Sequence, residues 1–214
     1  MKIVRRVVKK IFYYLHYIVP KNNKKVFFSS LPSFSDNARA LYDHMRIIPK
    51  YSDYSFYWLI KDSEIRNKPS SNTYFINYGK RPDRYLIYLY HLYTSKYLFS
   101  THNDFIEANP KLQTSVLLWH GSPIKRIYNM IPNNEKTNKN HFSYFLSSSE
   151  FYNSIFIESF PCRKSNMITT GYPRNDLLFQ ESTIMQDIGI DGYSYSKIVI
   201  YMPTFRVSKG NENV

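Results

Sequence analysis

Residues 115–127 read SVLLWHGSPIKRI. An apolar run climbs to Trp119 and breaks at His120-Gly121-Ser122-Pro123. A short apolar run bounded by turn residues marks a strand buried on both faces, as in a parallel sheet. A core position would take another valine after Trp119, and an ordinary turn has no use for an imidazole. A histidine titrates near neutrality, so His120 at a strand tip can accept a proton. Gly121 would let the backbone approach a ligand closely. Pro123 suits the first turn of a helix, whose free N–H groups favour an anion, and Lys125 and Arg126 add positive charge. A structural histidine in a strand-to-helix turn fits the same residues.

Outward from this stretch, short apolar runs alternate with amphipathic ones. KVFFSS, YSFYWLI, TYFI, KYLFS, SVLLW, YFLSSS, NMITTG and KIVIYM read as strands. SDNARALYDHMRII reads as a helix capped by Ser35 or Asp36, and PDRYLIYLYHLYTS as one opened by Pro82. SEFYNSIFIESF reads as a helix, PRNDLLF as the start of one, and residues 130–141 as a polar loop. This alternation predicts an α/β fold with a parallel sheet covered on both faces. In such sheets ligands bind beyond the C-terminal ends of the strands. His120, Gly171 and Pro203 are expected there. The chain has no GxGxxG, GxxxxGK[ST] or GxSxG, so dinucleotide oxidoreductases, P-loop NTPases and common serine hydrolases lose their markers.

Two further tips repeat the layout. In TGYPRND, residues 170–176, Gly171 turns the chain and Pro173 enters a helix carrying Arg174, Asn175 and Asp176. In YMPTFR, residues 201–206, Thr204 and Arg206 are placed to bind phosphate. Each taken singly also fits a plain capped turn.

The formal net charge is +13 over 214 residues, which points to an anionic partner. No acidic residue precedes Asp36. On a helical wheel Val4, Val7, Val8, Ile11, Phe12, Leu15, Ile18 and Val19 share one face, and Lys2, Arg5, Arg6, Lys9 and Lys10 the other. Residues 1–22 are therefore expected to form a basic amphipathic helix lying on an anionic membrane surface. The basic residues interrupt any span of about 20 apolar residues, and no small-residue cleavage site follows. A helix docked on its own domain is the competing expectation, and a mitochondrial presequence a poorer one because Ser is scarce. Nucleic-acid binding is not expected, since the charge concentrates at the N-terminus and no DNA- or RNA-binding motif is present. Cys162 is the sole cysteine, so no intrachain disulfide forms and a reducing cytoplasmic compartment is expected. No Cys/His spacing suits a metal, and none is expected.

Taken together and in order, Trp119-His120-Gly121-Ser122-Pro123, Gly171-Tyr172-Pro173-Arg174-Asn175-Asp176 and Tyr201-Met202-Pro203-Thr204-Phe205-Arg206 resemble the WHGTP, GYPRND and YAPT(W/F)R motifs of the CDP-glycerol glycerophosphotransferase family of teichoic acid synthesis. FSDNARALYDHM, residues 34–45, resembles that family's SDN-x-[KR]-A-[IL]-Y segment. The similarity runs from about Lys24 to Arg206.

The resemblance implies a GT-B architecture of two Rossmann-like domains facing a cleft. It implies transfer of glycerol phosphate, or a related polyol phosphate, from CDP-glycerol or CDP-ribitol to a membrane-bound polyprenyl-linked precursor. No separate cofactor is implied. The enzyme would sit peripherally on the cytoplasmic membrane face. His120 matches the motif histidine proposed as the base. Asp36, Asn37, Gly121, Ser122, Lys125, Arg174, Asn175, Asp176, Thr204 and Arg206 are the expected substrate-binding residues.

Ser122 replaces the usual Thr, keeping the hydroxyl. The chain stops eight residues after Arg206, whereas family members continue through a donor-binding domain with a second histidine. The expected organisation is a membrane-surface helix at 1–22, an acceptor-side domain at 23–180, and a linker with the first strand of a donor-side domain at 181–214. Alone, such a chain is expected to be inactive, to act with a complementing C-terminal half, or to serve as a membrane- or acceptor-lipid-binding remnant.

Overall fold

The computed structural model describes residues 14–61, 71–78, 81–105, 108–132, 142–181, 183–187, 189–190 and 196–202. Within them lies a seven-stranded sheet of order β3-β2-β1-β4-β5-β6-β7, parallel throughout. Its strands are β1 (Asn22–Ser29), β2 (Ser55–Ile60), β3 (Thr73–Asn77), β4 (Ser95–Ser100), β5 (Thr114–Leu117), β6 (Tyr144–Ser147) and β7 (Met167–Thr169). The fold class is therefore α/β, and these seven strands are the ones the apolar runs predict. The strand order reverses between β1 and β4, which are hydrogen-bonded neighbours. That switch point opens a crevice at the C-terminal edge of the sheet.

Alternation along β1 explains why both faces are covered. Val26 and Phe28 enter one apolar cluster, and Phe27 enters another. The first cluster lies under α1 (Asp36–Ile47), which buries Ala38, Tyr42 and Met45 at helical spacing. Phe28 stacks on Trp58 with ring centroids 4.9 Å apart. The second cluster lies under α2 (Pro82–Thr94), which contributes Tyr88, Leu89 and Leu92. A third, around Trp119, Phe145, Phe156 and Phe160, is closed by α3 (Glu150–Ser159). The Ser149 side chain accepts a hydrogen bond from the Tyr152 amide and caps α3. Pro82 stands in the first turn of α2.

Three local expectations are corrected. Ser35 occupies the position before α1, but its hydroxyl donates to the Pro32 carbonyl at 2.6 Å instead of capping. Residues 121–127 are irregular, with only a single 3-10 turn at Tyr128–Met130, where the sequence predicts a helix opened by Pro123. Ile127 and Tyr128 pack on the third cluster, so tertiary packing sets the course of this basic segment. PRNDLLF forms a 3-10 helix, Pro173–Phe179.

The chain divides into two compact units, Met1–Leu178 and Phe179–Val214. The described part of the second holds a four-residue helix, α4 (Ile184–Asp187). The expected strand KIVIYM is not formed: residues 197–202 are irregular, with Val199 82% and Tyr201 86% exposed. A strand exists through its ladder, and no described strand pairs with this segment.

Most of the N-terminal amphipathic segment lies outside the described residues. Residues 14–18 are helical. His16 is buried there, its ring edge-on to Tyr93 at 4.1 Å, while Tyr14, Tyr17 and Ile18 face outward. No helix among the described residues is long and apolar enough to cross a membrane.

Candidate active site

Register brings the strand tips together. Ser29 of β1 pairs with Ser100 of β4, and Ser100 pairs with Leu117 of β5. The loops that follow these strands therefore emerge side by side. His120 projects from the β5 tip and is exposed, while Trp119 before it is buried in the third cluster. Trp119 has φ +55° and Gly121 φ +138°, so the chain reverses sharply around the histidine. A left-handed conformation at a bulky residue costs on the order of 1–3 kcal/mol and persists only where its surroundings enforce it.

What enforces it is a set of bonds from distant loops. The Asn37 side-chain amide donates to the Trp119 carbonyl at 2.9 Å. The oxygen of the same amide accepts from the Arg174 backbone N–H at 3.2 Å. Arg174 then reaches back with its guanidinium. Nη1 donates to Asp36 Oδ1 at 2.7 Å, and Nη2 donates to the His120 carbonyl at 2.9 Å. The planar fork of arginine suits this double duty, which a lysine could not perform with the same geometry. A Cβ at Gly121 would stand 3.1 Å from Arg174 Nη2. Gly121 is thus required by its backbone angle and by the guanidinium beside it.

The expected site residues separate by role. Asp36, Asn37, His120, Gly121 and Arg174 form one bonded cluster. Asn37 is wholly buried with both ends of its amide committed, so it braces the tip and does not face a ligand. Ser122 lies beside it, its hydroxyl 2.9 Å from that of Ser148 at the β6 tip. Lys125, Asn175 and Asp176 are exposed. Thr204 and Arg206 lie outside the described residues.

Sequence reasoning missed His102. It follows β4, and its ring stacks on that of His120 with centroids 4.6 Å apart and planes 19° apart. Beside it, Asp104 accepts from Ser29 Oγ at 2.7 Å and from Lys61 Nζ at 2.6 Å. The signal was THND directly after the strand KYLFS, a second histidine at a strand tip.

Partial desolvation of the exposed ring by the loops around it, with His102 and Arg174, holds the His120 imidazole below the ordinary histidine range, with Asp36 opposing. Burial, with a smaller push from Lys61, lowers His102 likewise, against Asp104 and Asp36. The lowering at His120 favours the uncharged imidazole, the form that takes up a proton. Burial raises the Tyr172 hydroxyl, and the Ser122 and Ser148 hydroxyls partly offset this. Among the described residues, no three His, Cys, Asp or Glu side chains gather to hold a metal ion. What the cluster offers is an exposed imidazole on a tip held by Asn37 and Arg174, with a guanidinium behind it.

The chain is 28% identical over 211 residues to a teichoic acid poly(glycerol phosphate) polymerase of Bacillus spizizenii, covering 88% of this chain and 52% of that protein. It is 24% identical over 214 residues to a teichoic acid glycerol-phosphate transferase of Staphylococcus aureus, covering 86% and 51% respectively. The chain thus spans about half the length of these relatives. Among solved structures, the wall teichoic acid polymerase TagF superposes with a TM-score of 0.62 at 21% identity, over 83% of this chain and 46% of that one. The family model described as CDP-glycerol:poly(glycerophosphate) glycerophosphotransferase matches residues 11–213, and the chain belongs to that family.

Proposed function

We propose that this chain supplies the acceptor-activating side of a polyol phosphate transferase. Its donor is CDP-glycerol or a related CDP-polyol, and its acceptor a membrane-bound, polyprenyl-linked teichoic acid precursor. The observation that carries the proposal is the His120 imidazole at the β5 tip, its backbone carbonyl held by Arg174 Nη2 at 2.9 Å. Family membership supplies the reaction class.

In this reading the acceptor hydroxyl approaches His120, which takes its proton as the oxygen attacks the phosphorus that carries glycerol. The attacked phosphorus loses its bond to the bridging oxygen of the diphosphate, and CMP leaves with that oxygen and the electron pair. Positioning and charge stabilisation do most of the work in such transfers. Arg174 has both arms engaged, so its part is to hold the histidine tip. The sheet forms one Rossmann-like half of a GT-B architecture, and the donor is held chiefly by the other half.

Peripheral membrane attachment through residues 1–22 completes the proposal. It is supported by the +13 charge, the segregated wheel, and the outward-facing Tyr14, Tyr17 and Ile18 beside the docked His16. A second reading, a membrane- or acceptor-lipid-binding module without catalysis, is supported by the same segment. CMP release distinguishes the two. The chain is incubated with CDP-glycerol and vesicles carrying the lipid-linked acceptor, alone and with a relative's C-terminal half added. The expected result is release in the mixture, reduced on the order of 10²–10⁴-fold by His120→Ala. Full release by His120→Ala would remove the histidine from catalysis. Acceptor binding with no release in either setting would favour the second reading. Vesicle flotation with and without residues 1–22 tests the anchor: it is expected to be lost on deletion, and equal flotation would exclude that segment.

A further inference from the structure

The second imidazole at the strand tips has no part in the scheme above, yet its ring stacks on that of the proposed base. β4 and β5 are paired, and their tips carry His102 and His120 into a parallel stack at 4.6 Å. His102 stands on a braced platform. Thr101, wholly buried, donates its backbone N–H to Ser29 O at 3.1 Å and holds Oγ1 3.0 Å from His102 Nδ1. Asp104 is fixed by Ser29 and Lys61, using both carboxylate oxygens. Trp119 also stacks on His120, with centroids 4.1 Å apart, so His120 is in contact with two flat partners.

We propose that His102 is a positioning residue for His120: it fixes the plane of the imidazole and ties its protonation to that of a second ring. The inference rests on the reading of His120 as the base. Two imidazolium rings stacked at this distance repel, so the pair takes up its first proton far more readily than its second. The groups facing the pair are Asp36 and Asp104, which favour that first proton, and Arg174 and Lys61, which oppose it. Near neutrality the stack therefore starts empty and ends holding one proton. A base that must accept one proton per turnover needs this state.

The test is a titration of the imidazole carbons by NMR, on the full chain labelled at histidine. In the wild type, His102 and His120 are expected to share inflections, each curve bending where the other ring titrates. In His102→Asn, His120 is expected to titrate in one step with its midpoint raised. His102→Phe keeps a flat partner without a charge and should give a single step too. Independent single-step curves in the wild type would overturn the proposal, and that measurement stands even if a variant fails to fold. So would an unmoved His120 curve in His102→Asn.

In the transfer assay, the acid limb of the pH profile should shift to higher pH in His102→Phe. A uniform fall in rate at every pH would show a structural role only. Failure here is separable from failure of the base reading. Uncoupled rings with transfer still lost in His120→Ala would sink His102 alone, whereas full transfer by His120→Ala would sink the base.

Discussion

Two cations sit at opposite ends of the same sheet and are treated in opposite ways. At the C-terminal edge, Arg174 is met by a carboxylate and a carbonyl, each at hydrogen-bond distance. Toward the start of β1, Lys25 is buried against aromatic faces, 4.4 Å from the Tyr57 ring centre and 5.0 Å from that of Tyr90. Its hydrogen bond goes to a hydroxyl, Thr94 Oγ1 at 2.6 Å. Among the described residues no carboxylate pairs with it. Burial therefore pushes the Lys25 ammonium down to about 8, and burial with the adjacent Lys25 charge pushes His91 down to about 4. A buried charge that is paired builds geometry, and one that is merely tolerated stores a penalty.

The largest expected effect comes from breaking the paired end. Arg174→Ala strands Asp36, whose side chain is only 10% exposed, and frees the His120 carbonyl. Urea unfolding should record a loss of about 3–4 kcal/mol. Arg174→Lys should recover less than half of it, because one ammonium cannot serve both acceptors from one plane.

At the unpaired end the signature is in pH. The unfolded lysine binds its proton up to about 10.5 and the folded one only to about 8. Between those values the unfolded state holds more protons, so stability should rise with pH, by about 3 kcal/mol in all. At neutral pH both states are protonated and the penalty is fully present. His91 gives a second window with the same sign, stability falling as pH drops from 6.5 toward about 4. Lys25→Met should abolish the alkaline rise and stabilise the protein at pH 7 by about 1 kcal/mol, since Thr94 keeps its bond to the Tyr90 carbonyl. A flat alkaline profile in the unaltered chain would mean that Lys25 reaches water.

Smaller effects refine the paired end. Gly121→Ala should cost about 2 kcal/mol, from φ +138° and the 3.1 Å approach of Arg174. Arg126→Ala, at an exposed cation, should change unfolding by no more than about 0.5 kcal/mol.

The seven strands were legible because each is an apolar run long enough to cross the sheet and closed by Gly, Pro, Ser or Asn. One of the longer helices announced itself through Pro82. KIVIYM carries the same composition and forms no strand, because composition cannot provide a neighbour to bond with. His102 was illegible for a related reason. Its meaning depends on β4 lying beside β5, a fact of topology rather than of local pattern. The bond between Arg174 and Asp36 spans 138 residues, and no periodicity reports a contact of that range. Residues 121–127 looked helical by their Pro and basic residues, and packing of Ile127 and Tyr128 decided otherwise.

The guanidinium that joins three loops also sets a schedule. His120 leaves the ribosome 54 residues before Arg174, the partner that grips its carbonyl. Through that interval of synthesis β5 can be made and its apolar neighbours can collapse, but the left-handed bend at Trp119 lacks one of the braces that hold it. Domains fold as units during translation, and distant contacts close only after the intervening chain has been ordered. The histidine tip is thus coded at residue 120 and completed only when residue 174 has emerged, so a polypeptide stalled short of residue 174 would display the histidine without the guanidinium that holds its carbonyl.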